Sequence, residues 1–375
     1  MNLSFNKTFR LACSLALLLA GLTARAQFIQ PGKVWRDTDG KPINAHGGGM
    51  LHHGGKYFWY GEFKTGKTYL PDCNKSWGGT RVDTVGVSCY SSTNLTDWKN
   101  EGIVLSAVKN DTNSDLHVSK VLERPKVVYN AATRKFVLWM HVDSTDYAAA
   151  RSGVAVSDSP TGPFQYRGSF RPNAGVWPLN ATDADKIPDK TNNLARDFAG
   201  GQMARDFTVF VDDDARAYLF YSSEGNPTLH ISLLTDDYLK PTDKFVRAFI
   251  HRSMEAPTVF KHGGKYYFIG SGCTAWEPNA ARSAVADNIF GPWQELGNPC
   301  SGPEADKTFR SQSTYVLPLG AGRFIFMADR WKQWNLPDSR YVWLPLTISA
   351  NGRPVVLWQD RWSPAAFPAL PAAGR

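Results

Sequence analysis

The stretch Glu255-Ala-Pro-Thr-Val-Phe-Lys-His-Gly-Gly-Lys-Tyr-Tyr-Phe-Ile-Gly270 decides the fold, because four other segments of the chain repeat its pattern. The pattern is a polar residue, a short apolar run, a turn, and a second apolar run rich in aromatic residues. The related segments begin near residues 48, 123, 205 and 312. Repeats of this kind are typical of propellers and solenoids.

Each repeat continues beyond these two runs. A third apolar run and a turn follow, often with an aromatic residue behind them, at 86–98, 153–164, 229–239, 282–293 and 341–358. Short β-branched and aromatic runs between Gly, Pro, Asn and Asp predict strands and turns, and no long helical period is present after the first residues. We therefore predict an all-β five-bladed β-propeller, with about four strands in each blade. Insertions are expected near 64–84, 105–120 and 171–204.

The first 26 residues have the features of a secretory signal peptide. Lys7 and Arg10 form a basic start, Leu11–Leu22 is apolar, and Ala24-Arg-Ala26 is a small-x-small cleavage site. The apolar run is too short to span a bilayer, which favours cleavage over a membrane anchor. We predict export to the periplasm or the extracellular space, and a single propeller domain over residues 27–375.

The charge is spread thinly along the chain. The formal net charge is +8, without a long basic run, which predicts a solvated surface and no nucleic-acid partner. We expect a monomer without a membrane anchor.

Four cysteines follow the predicted signal peptide, and an even count in an exported protein permits two disulfides. Of the three pairings, Cys73–Cys89 and Cys273–Cys300 are favoured because they close short loops. A zinc site is disfavoured, since no C-x-x-C pair is present. We predict no metal site and no required cofactor, and a structural cation in the channel stays open.

The repeats bring polar residues together. In a propeller the first strands of all blades line the central channel in the same direction, so equivalent positions meet at one end of the axis. The residues at these openings are His46, Glu123, Asp206, Glu255 and Gln312. Charged groups so far inside are costly unless they are paired or functional. A purely structural interpretation makes Glu123–Arg124 and Arg205–Asp206 local ion pairs that lock the blades.

Carboxylic acids that face each other across a pocket, without a Cys or Ser-His arrangement, point to hydrolysis of a glycosidic bond. One acid protonates the leaving oxygen, and a second group activates water. The acid must stay protonated near neutral pH, and burial and like charges raise a carboxyl pKa. Glu255, followed by Ala256-Pro257, is the best candidate for this acid.

Aromatic residues follow the second strands of three blades. Tyr147, Trp276 and Trp331 hold these positions after blades two, four and five, where a flat ring can stack on a sugar. Glu62 and Glu224 hold similar positions after blades one and three. We expect these two carboxylates to bind sugar hydroxyls.

Several motifs together are specific. They are Ala45-His-Gly-Gly-Gly, Phe58-Trp-Tyr-Gly-Glu62, Glu123-Arg-Pro-Lys-Val, Arg205-Asp-Phe, Glu255-Ala-Pro, Gly272-Cys-Thr-Ala-Trp276, Ser311-Gln312 and Asp329-Arg-Trp. With these motifs, nearly the whole chain after the signal resembles glycoside hydrolase family 43, and within it the exo-β-1,3-galactanases. The resemblance implies a five-bladed propeller that acts on plant polysaccharides with inversion.

The resemblance also implies roles for single residues. Glu255 would be the general acid, Glu123 would tune its pKa or hold substrate, and Gln312 would orient the attacking water through an imidic-acid tautomer. Most family members open blade one with an Asp that serves as general base, but this chain has Asn44-Ala-His46 there, an absence that the galactanase branch shares. Glu123 as the base is the competing interpretation. The subsite for the terminal sugar would contain Asp206, Glu62, Tyr147, Asn226, Thr274 and Trp276.

We therefore predict an exported, exo-acting glycoside hydrolase that releases galactose from the β-1,3-linked galactan backbone of arabinogalactan with inversion. Its partner is a polysaccharide or oligosaccharide. One alternative is a furanosidase or xylosidase on the same scaffold, cleaving arabinofuranose, galactofuranose or xylose. Another is a non-catalytic sugar-binding propeller, which the missing Asp of blade one supports.

Overall fold

The chain folds as an all-β five-bladed propeller, as the repeats predict. A computed structural model describes residues 28–69 and 81–368, so the predicted signal peptide and Cys73 lie outside the described residues. The described helices are short: α1 (Asn193–Arg196) and three 3₁₀ turns at Ala184–Lys186, Ala305–Arg310 and Leu336–Asp338. None of these helices is long and apolar enough to cross a membrane.

The first two blades contain four main strands each, and blade one also has the small ladder of the predicted insertion. Blade one runs through β1 (His46–His53) and β2 (Lys56–Glu62), a small ladder of β3 (Thr68–Tyr69) and β4 (Arg81–Val82), then β5 (Gly86–Ser92) and β6 (Lys99–Ser106). Blade two contains β7 (Val121–Asn130), β8 (Lys135–Asp143), β9 (Arg151–Ser157) and β10 (Gln165–Phe170).

The remaining blades follow the same order. Blade three contains β11 (Phe207–Val211), β12 (Ala217–Ser223), β13 (Thr228–Leu234) and β14 (Pro241–Ala248). Blade four contains β15 (Glu255–His262), β16 (Lys265–Ser271), β17 (Arg282–Ala286) and β18 (Gln294–Gly297). Blade five contains β19 (Cys300–Ser301), β20 (Gln312–Gly320), β21 (Arg323–Arg330), β22 (Arg340–Ile348) and β23 (Pro354–Leu357), with β19 parallel to β23.

Two-residue glycine turns set the register of two blades. The hairpins of blades one and four turn at Gly54-Gly55 and Gly263-Gly264, and all four glycines have positive φ, between +57° and +78°. Both central residues of a type I′ hairpin turn need positive φ, which glycine adopts without steric cost. The turns pair His53 with Lys56 and His262 with Lys265.

The ring closes between blades five and one. The Ile29 amide donates to the Trp362 carbonyl at 2.8 Å, and the Trp362 amide donates back at 3.1 Å. Between these blades lie the fully buried rings of Trp59 and Trp343, with centroids 4.6 Å apart. Buried aromatic rings contribute large apolar areas, so this cluster stabilises the contact between the first and last blades.

The first strands of blades one, two and four share a register shift directly after their opening residues. It follows His46, Glu123 and Glu255, and the next residue has a φ of +62°, +53° and +51° respectively. β-bulges redirect side chains and are common beside active sites. Blade three differs, because Asp206 lies one residue before its first strand.

The predicted disulfides are wrong. Cys89, Cys273 and Cys300 are free thiols. Cys273 follows β16 near the axis, whereas Cys300 lies in β19, at the outer edge of blade five. Cys89 is buried in β5, with Sγ 4.0 Å from the Pro160 carbonyl oxygen. Sequence spacing suggested these pairings, but the topology separates Cys273 from Cys300.

Candidate active site

A cavity of about 330 Å³ lies where the opening residues meet, and all five blades contribute side chains to it. It contains eight of the ten predicted site residues: Glu62, Glu123, Tyr147, Asp206, Asn226, Glu255, Trp276 and Gln312. Trp331, the third predicted aromatic platform, lines it as well. The opening residues of blades two to five therefore meet at one end of the axis, as the repeats predict, although this does not establish what each residue does there.

Arg124 connects the blades around this cavity. Its guanidinium donates to both carboxylate oxygens of Asp206, at 3.0 and 2.7 Å, and to Gln312 Oε1 at 2.6 Å. Nη1 also donates to the Ser313 carbonyl at 3.1 Å, and the Arg124 amide donates to Glu62 Oε1 at 3.0 Å. Arg124 therefore joins blade two to blades one, three and five.

These contacts contradict the expectation of local ion pairs between neighbouring residues. Arg124 pairs with Asp206 of the next blade, and Arg205 donates to Asn226 at 3.1 Å and to the Tyr147 carbonyl at 2.7 Å. A bidentate guanidinium–carboxylate pair is among the strongest protein hydrogen-bond arrangements. Burial lowers the pKa of Arg124, but the negative charges of Asp206 and Glu62 outweigh this and raise it above its ordinary value.

Glu255 is held as a neutral carboxylic acid. Its Oε2 accepts from Gln312 Nε2 at 3.1 Å, and its Oε1 accepts from the Cys273 thiol at 3.5 Å. Burial, and then the negative charge of Asp206, raise the pKa of Glu255 to about 8 in spite of the opposing charge of Arg124. A carboxyl group that is protonated at neutral pH can donate a proton to a leaving oxygen.

Glu123 is ionised in the same cavity. Tyr147 Oη donates to its Oε1 at 2.7 Å, and His141 Nδ1 lies 3.3 Å from its Oε2. Burial raises the pKa of Glu123, but His141, the positive charge of Lys64 and the Tyr147 hydroxyl outweigh it and lower the pKa to about 2. Two carboxyl groups with pKa values pushed apart are the usual sign of a division between acid and carboxylate roles.

Both the oxygen and the nitrogen of the Gln312 amide have hydrogen-bond partners. Its Oε1 accepts from Arg124 and from Trp331 Nε1, at 2.6 and 3.1 Å, and its Nε2 donates to Glu255 and to Ser271 Oγ, both at 3.1 Å. An amide has two donors and an acceptor oxygen, so these contacts fix its orientation. Gln312 therefore touches the acid directly, whereas Glu123 belongs to blade two and is separated from blade four by blade three.

The side chains of the cavity wall are also ordered by contacts. Glu62 pairs with Lys64, and a Cβ atom at Gly47 would lie 2.0 Å from Glu62 Oε1, so only glycine fits there. Burial raises the pKa of Glu62 against the charge of Lys64. Trp276 and Trp331 meet edge to face with centroids 5.9 Å apart and form an aromatic wall.

Two predicted sugar-binding residues do not line the cavity. Thr274 donates to the Glu277 carbonyl at 2.6 Å and is exposed. Glu224 is buried and accepts from His230 Nε2 at 2.9 Å and from Arg247 at 2.7 and 2.9 Å. Because its carboxylate oxygens face these partners, the structure places Glu224 in a buried ion pair of blade three.

His46 also differs from the expected ring of polar openings. Its Nδ1 lies 3.1 Å from Asp329 Oδ1, and its ring stacks on Tyr341 with centroids 4.8 Å apart. It is buried against blade five and does not line the cavity. Blade one contributes Glu62 and Lys64 to the cavity instead.

Sequence reasoning missed Arg124, Lys64, His141, Arg205 and Cys273, all of which line the cavity. Arg124, Arg205 and Cys273 stand within the motifs Glu123-Arg-Pro-Lys-Val, Arg205-Asp-Phe and Gly272-Cys-Thr-Ala-Trp276. Their position was therefore visible, but their partners on other blades were not. Within residues 28–69 and 81–368, no group of three or more His, Cys, Asp or Glu side chains is arranged to hold a metal ion.

Lys126 lies buried on the first strand of blade two. Its Nζ donates to the carbonyls of Gly47 and Arg124, at 2.9 and 3.3 Å. Burial and the neighbouring Arg124 charge lower the pKa of Lys126 to about 7. Lys126 Nζ therefore holds the backbone of Gly47 and Arg124, which lie at the register shifts of blades one and two.

We predict that Glu224→Gln destabilises the fold without changing sugar binding, because it removes the buried carboxylate between Arg247 and His230 and leaves Arg247 with the partly exposed Asp185 as its ionic partner. Loss of one partner of a buried pair costs about 3 kcal/mol. Thermal unfolding and galactose titration measure the two effects. Glu295→Gln is the matched control, since its pair with Arg252 is exposed and contributes little. Weaker galactose binding with unchanged stability would return Glu224 to the sugar site.

Comparisons with known proteins identify the family of the chain. The family model described as "Glycosyl hydrolases family 43" matches residues 189–307. A solved GH43 β-1,3-galactosidase with galactodeoxynojirimycin is 47% identical, with a TM-score of 0.82, covering 89% of this chain and 100% of that one. No curated protein sequence matches the chain.

Two further solved structures are exo-β-1,3-galactanases. The enzyme from Phanerochaete chrysosporium, solved with β-1,3-galactotriose, is 33% identical with a TM-score of 0.73, covering 90% of this chain and 68% of that one. The enzyme from Clostridium thermocellum is 36% identical with a TM-score of 0.72, covering 89% and 66%. With this identity over most of its length, the chain belongs to glycoside hydrolase family 43.

Proposed function

We propose that this glycoside hydrolase is an exported exo-enzyme that releases galactose from the end of β-1,3-linked galactan with inversion. The structurally similar enzymes are β-1,3-galactosidases and exo-β-1,3-galactanases, which supports hydrolysis of β-1,3-galactan. The observation that carries the proposal is the pair of carboxyl groups in one cavity, with Glu255 neutral and Glu123 ionised. Export rests on the signal-like sequence of residues 1–26.

In the proposed mechanism Glu255 donates its proton to the glycosidic oxygen as the bond to the anomeric carbon breaks. Water attacks that carbon from the opposite face and loses a proton, so the β-linkage yields α-galactose. Either Glu123 accepts the proton of this water as a general base, or Gln312 orients and activates the water. Glu123 is ionised and stands two blades from Glu255. Gln312 donates a hydrogen bond to Glu255, so it must give up this contact to orient a water molecule on the opposite face of the sugar.

The shape of the cavity supports an exo-acting enzyme. Its axial side is closed by the buried Arg124, whose carbonyl accepts from the buried Lys126 at 3.3 Å. Glu62, Tyr147 and Asn226 stand around the wall with polar atoms that can meet sugar hydroxyls. A pocket that is closed at its inner end accepts a chain terminus and excludes a chain that continues in both directions.

Product analysis tests the proposal. With β-1,3-galactan, galactose should be the first and main product, and ¹H NMR recorded during the first turnovers should show the α-anomer before mutarotation. The reason is that water attacks opposite the departing oxygen. The Glu255→Gln protein at equal concentration is the control. Oligosaccharides as the first products would contradict exo action, and β-galactose as the first anomer would contradict inversion.

The pH dependence follows from the raised pKa of Glu255. The neutral acid is the active form, so kcat/KM should fall above a pH of about 8, by about tenfold for each further pH unit. Asp206→Asn removes a negative charge that raises this pKa, so its alkaline limb should lie at lower pH. Initial rates on galactan between pH 5 and 10 measure the alkaline limb of the wild-type protein and that of Asp206→Asn. An unchanged limb in Asp206→Asn would mean that another group titrates.

A further inference from the structure

A second cavity of about 430 Å³ opens beside the active site, and we call it the lateral groove. It shares Ala275, Trp276, Gln312 and Trp331 with the active-site cavity, so the two spaces are continuous. The groove is larger than the cavity that would hold the terminal sugar. Space of this size next to a one-sugar pocket can hold more of the same chain.

The lateral groove begins on the side of the general acid. Ser271, which lines the groove, is the register partner of Glu255 across the first two strands of blade four. Gln312 Nε2 donates to both Glu255 and Ser271 at 3.1 Å. Because the acid protonates the bond to the leaving group, the leaving group departs on this side.

Aromatic rings form part of the lateral groove. Trp331 and Trp276 stand at the edge that it shares with the active-site cavity, and Trp334 lines it further along the same loop. Trp334 is 64% exposed, the largest exposed fraction among the large apolar side chains of the described residues. An exposed indole next to a sugar pocket offers a flat apolar face to the C–H face of a hexose.

A strained turn supports another part of the groove. Thr308, Phe309 and Arg310 have consecutive φ values of +51°, +57° and +58°, a left-handed conformation that non-glycine residues rarely adopt. The turn is held by Thr308 Oγ1, which donates to the Asn279 carbonyl at 2.7 Å, and by Arg330 Nη2, which donates to the Phe309 carbonyl at 2.7 Å. Such strain persists where surrounding contacts enforce it, often at functional segments. Here it places Arg310 in the groove directly before Ser311 and Gln312.

We propose that the lateral groove binds the leaving part of the galactan, and that Trp334 stacks on the second sugar beyond the scissile bond. The inference rests on the proposed function, since it gives that activity a preference for chain length. Galactobiose places only one sugar beyond the scissile bond, near Trp331 and Gln312. Galactotriose adds a sugar that reaches Trp334, so the triose is the better substrate.

The test compares galactobiose and galactotriose with the wild-type protein and with Trp334→Ala. In the wild type, kcat/KM should be about three- to tenfold higher for the triose, which is the range expected for one stacking contact. In Trp334→Ala the two substrates should become equal through a higher KM for the triose, while galactobiose is unaffected. Trp334→Phe should recover part of the preference.

Trp177→Ala is the matched control, because Trp177 stacks on Phe198 in the insertion of residues 171–204 and lines neither cavity. It should keep the wild-type preference for the triose. If Trp334→Ala also keeps that preference, or if the wild type shows none, the subsite proposal is wrong while galactose release still supports the proposed function. If the wild type releases no galactose from either substrate, the proposed function itself fails.

Discussion

The buried pair between Arg124 and Asp206 is the interaction on which the site depends. It lies at the axis, where four of the five blades meet through a single guanidinium group and a single backbone amide. Apolar packing between the sheets also joins the blades, but it fixes their spacing without orienting polar groups. The guanidinium supplies that orientation, because its donors point in fixed directions within one plane. Removing either partner would leave a buried charge uncompensated.

The same pair sets the protonation of Glu255. Asp206 lies close enough to oppose ionisation of Glu255, while Arg124 favours it, and burial decides the balance in favour of the neutral acid. His141 and Tyr147 have the opposite effect on Glu123, because they lower its pKa and keep it ionised. In the proposed mechanism, the acid and the carboxylate roles therefore arise from the unequal surroundings of two carboxyl groups on equivalent strands. The blades repeat as scaffold, and the differences at their openings give each carboxyl group its charge state.

The sequence was sufficient to predict the fold and the meeting of the blade openings in one cavity, because hydrophobic period and turn residues are local signals. The repeats around Glu255 predicted five blades, and channel geometry then placed Glu123, Asp206 and Gln312 together. Side-chain direction was not predictable in the same way. Glu224 turns to Arg247 and His46 turns to Asp329, since partners from distant parts of the chain compete for them. The predicted Cys273–Cys300 disulfide failed because two residues close together along the chain can lie at opposite sides of a blade.

The most direct test of Glu255 as the general acid compares the kcat/KM of its variant on substrates with different leaving groups. Glu255→Gln should lose several orders of magnitude in kcat/KM on β-1,3-galactobiose, yet lose far less on 2,4-dinitrophenyl β-galactoside, whose leaving group needs no proton. A variant that removes the water-handling group, Glu123→Gln or Gln312→Ala, should lose activity on both substrates alike, which also decides between these two residues. Equal losses of Glu255→Gln on both substrates, or nearly normal turnover of galactobiose, would contradict the assignment of Glu255 as the general acid.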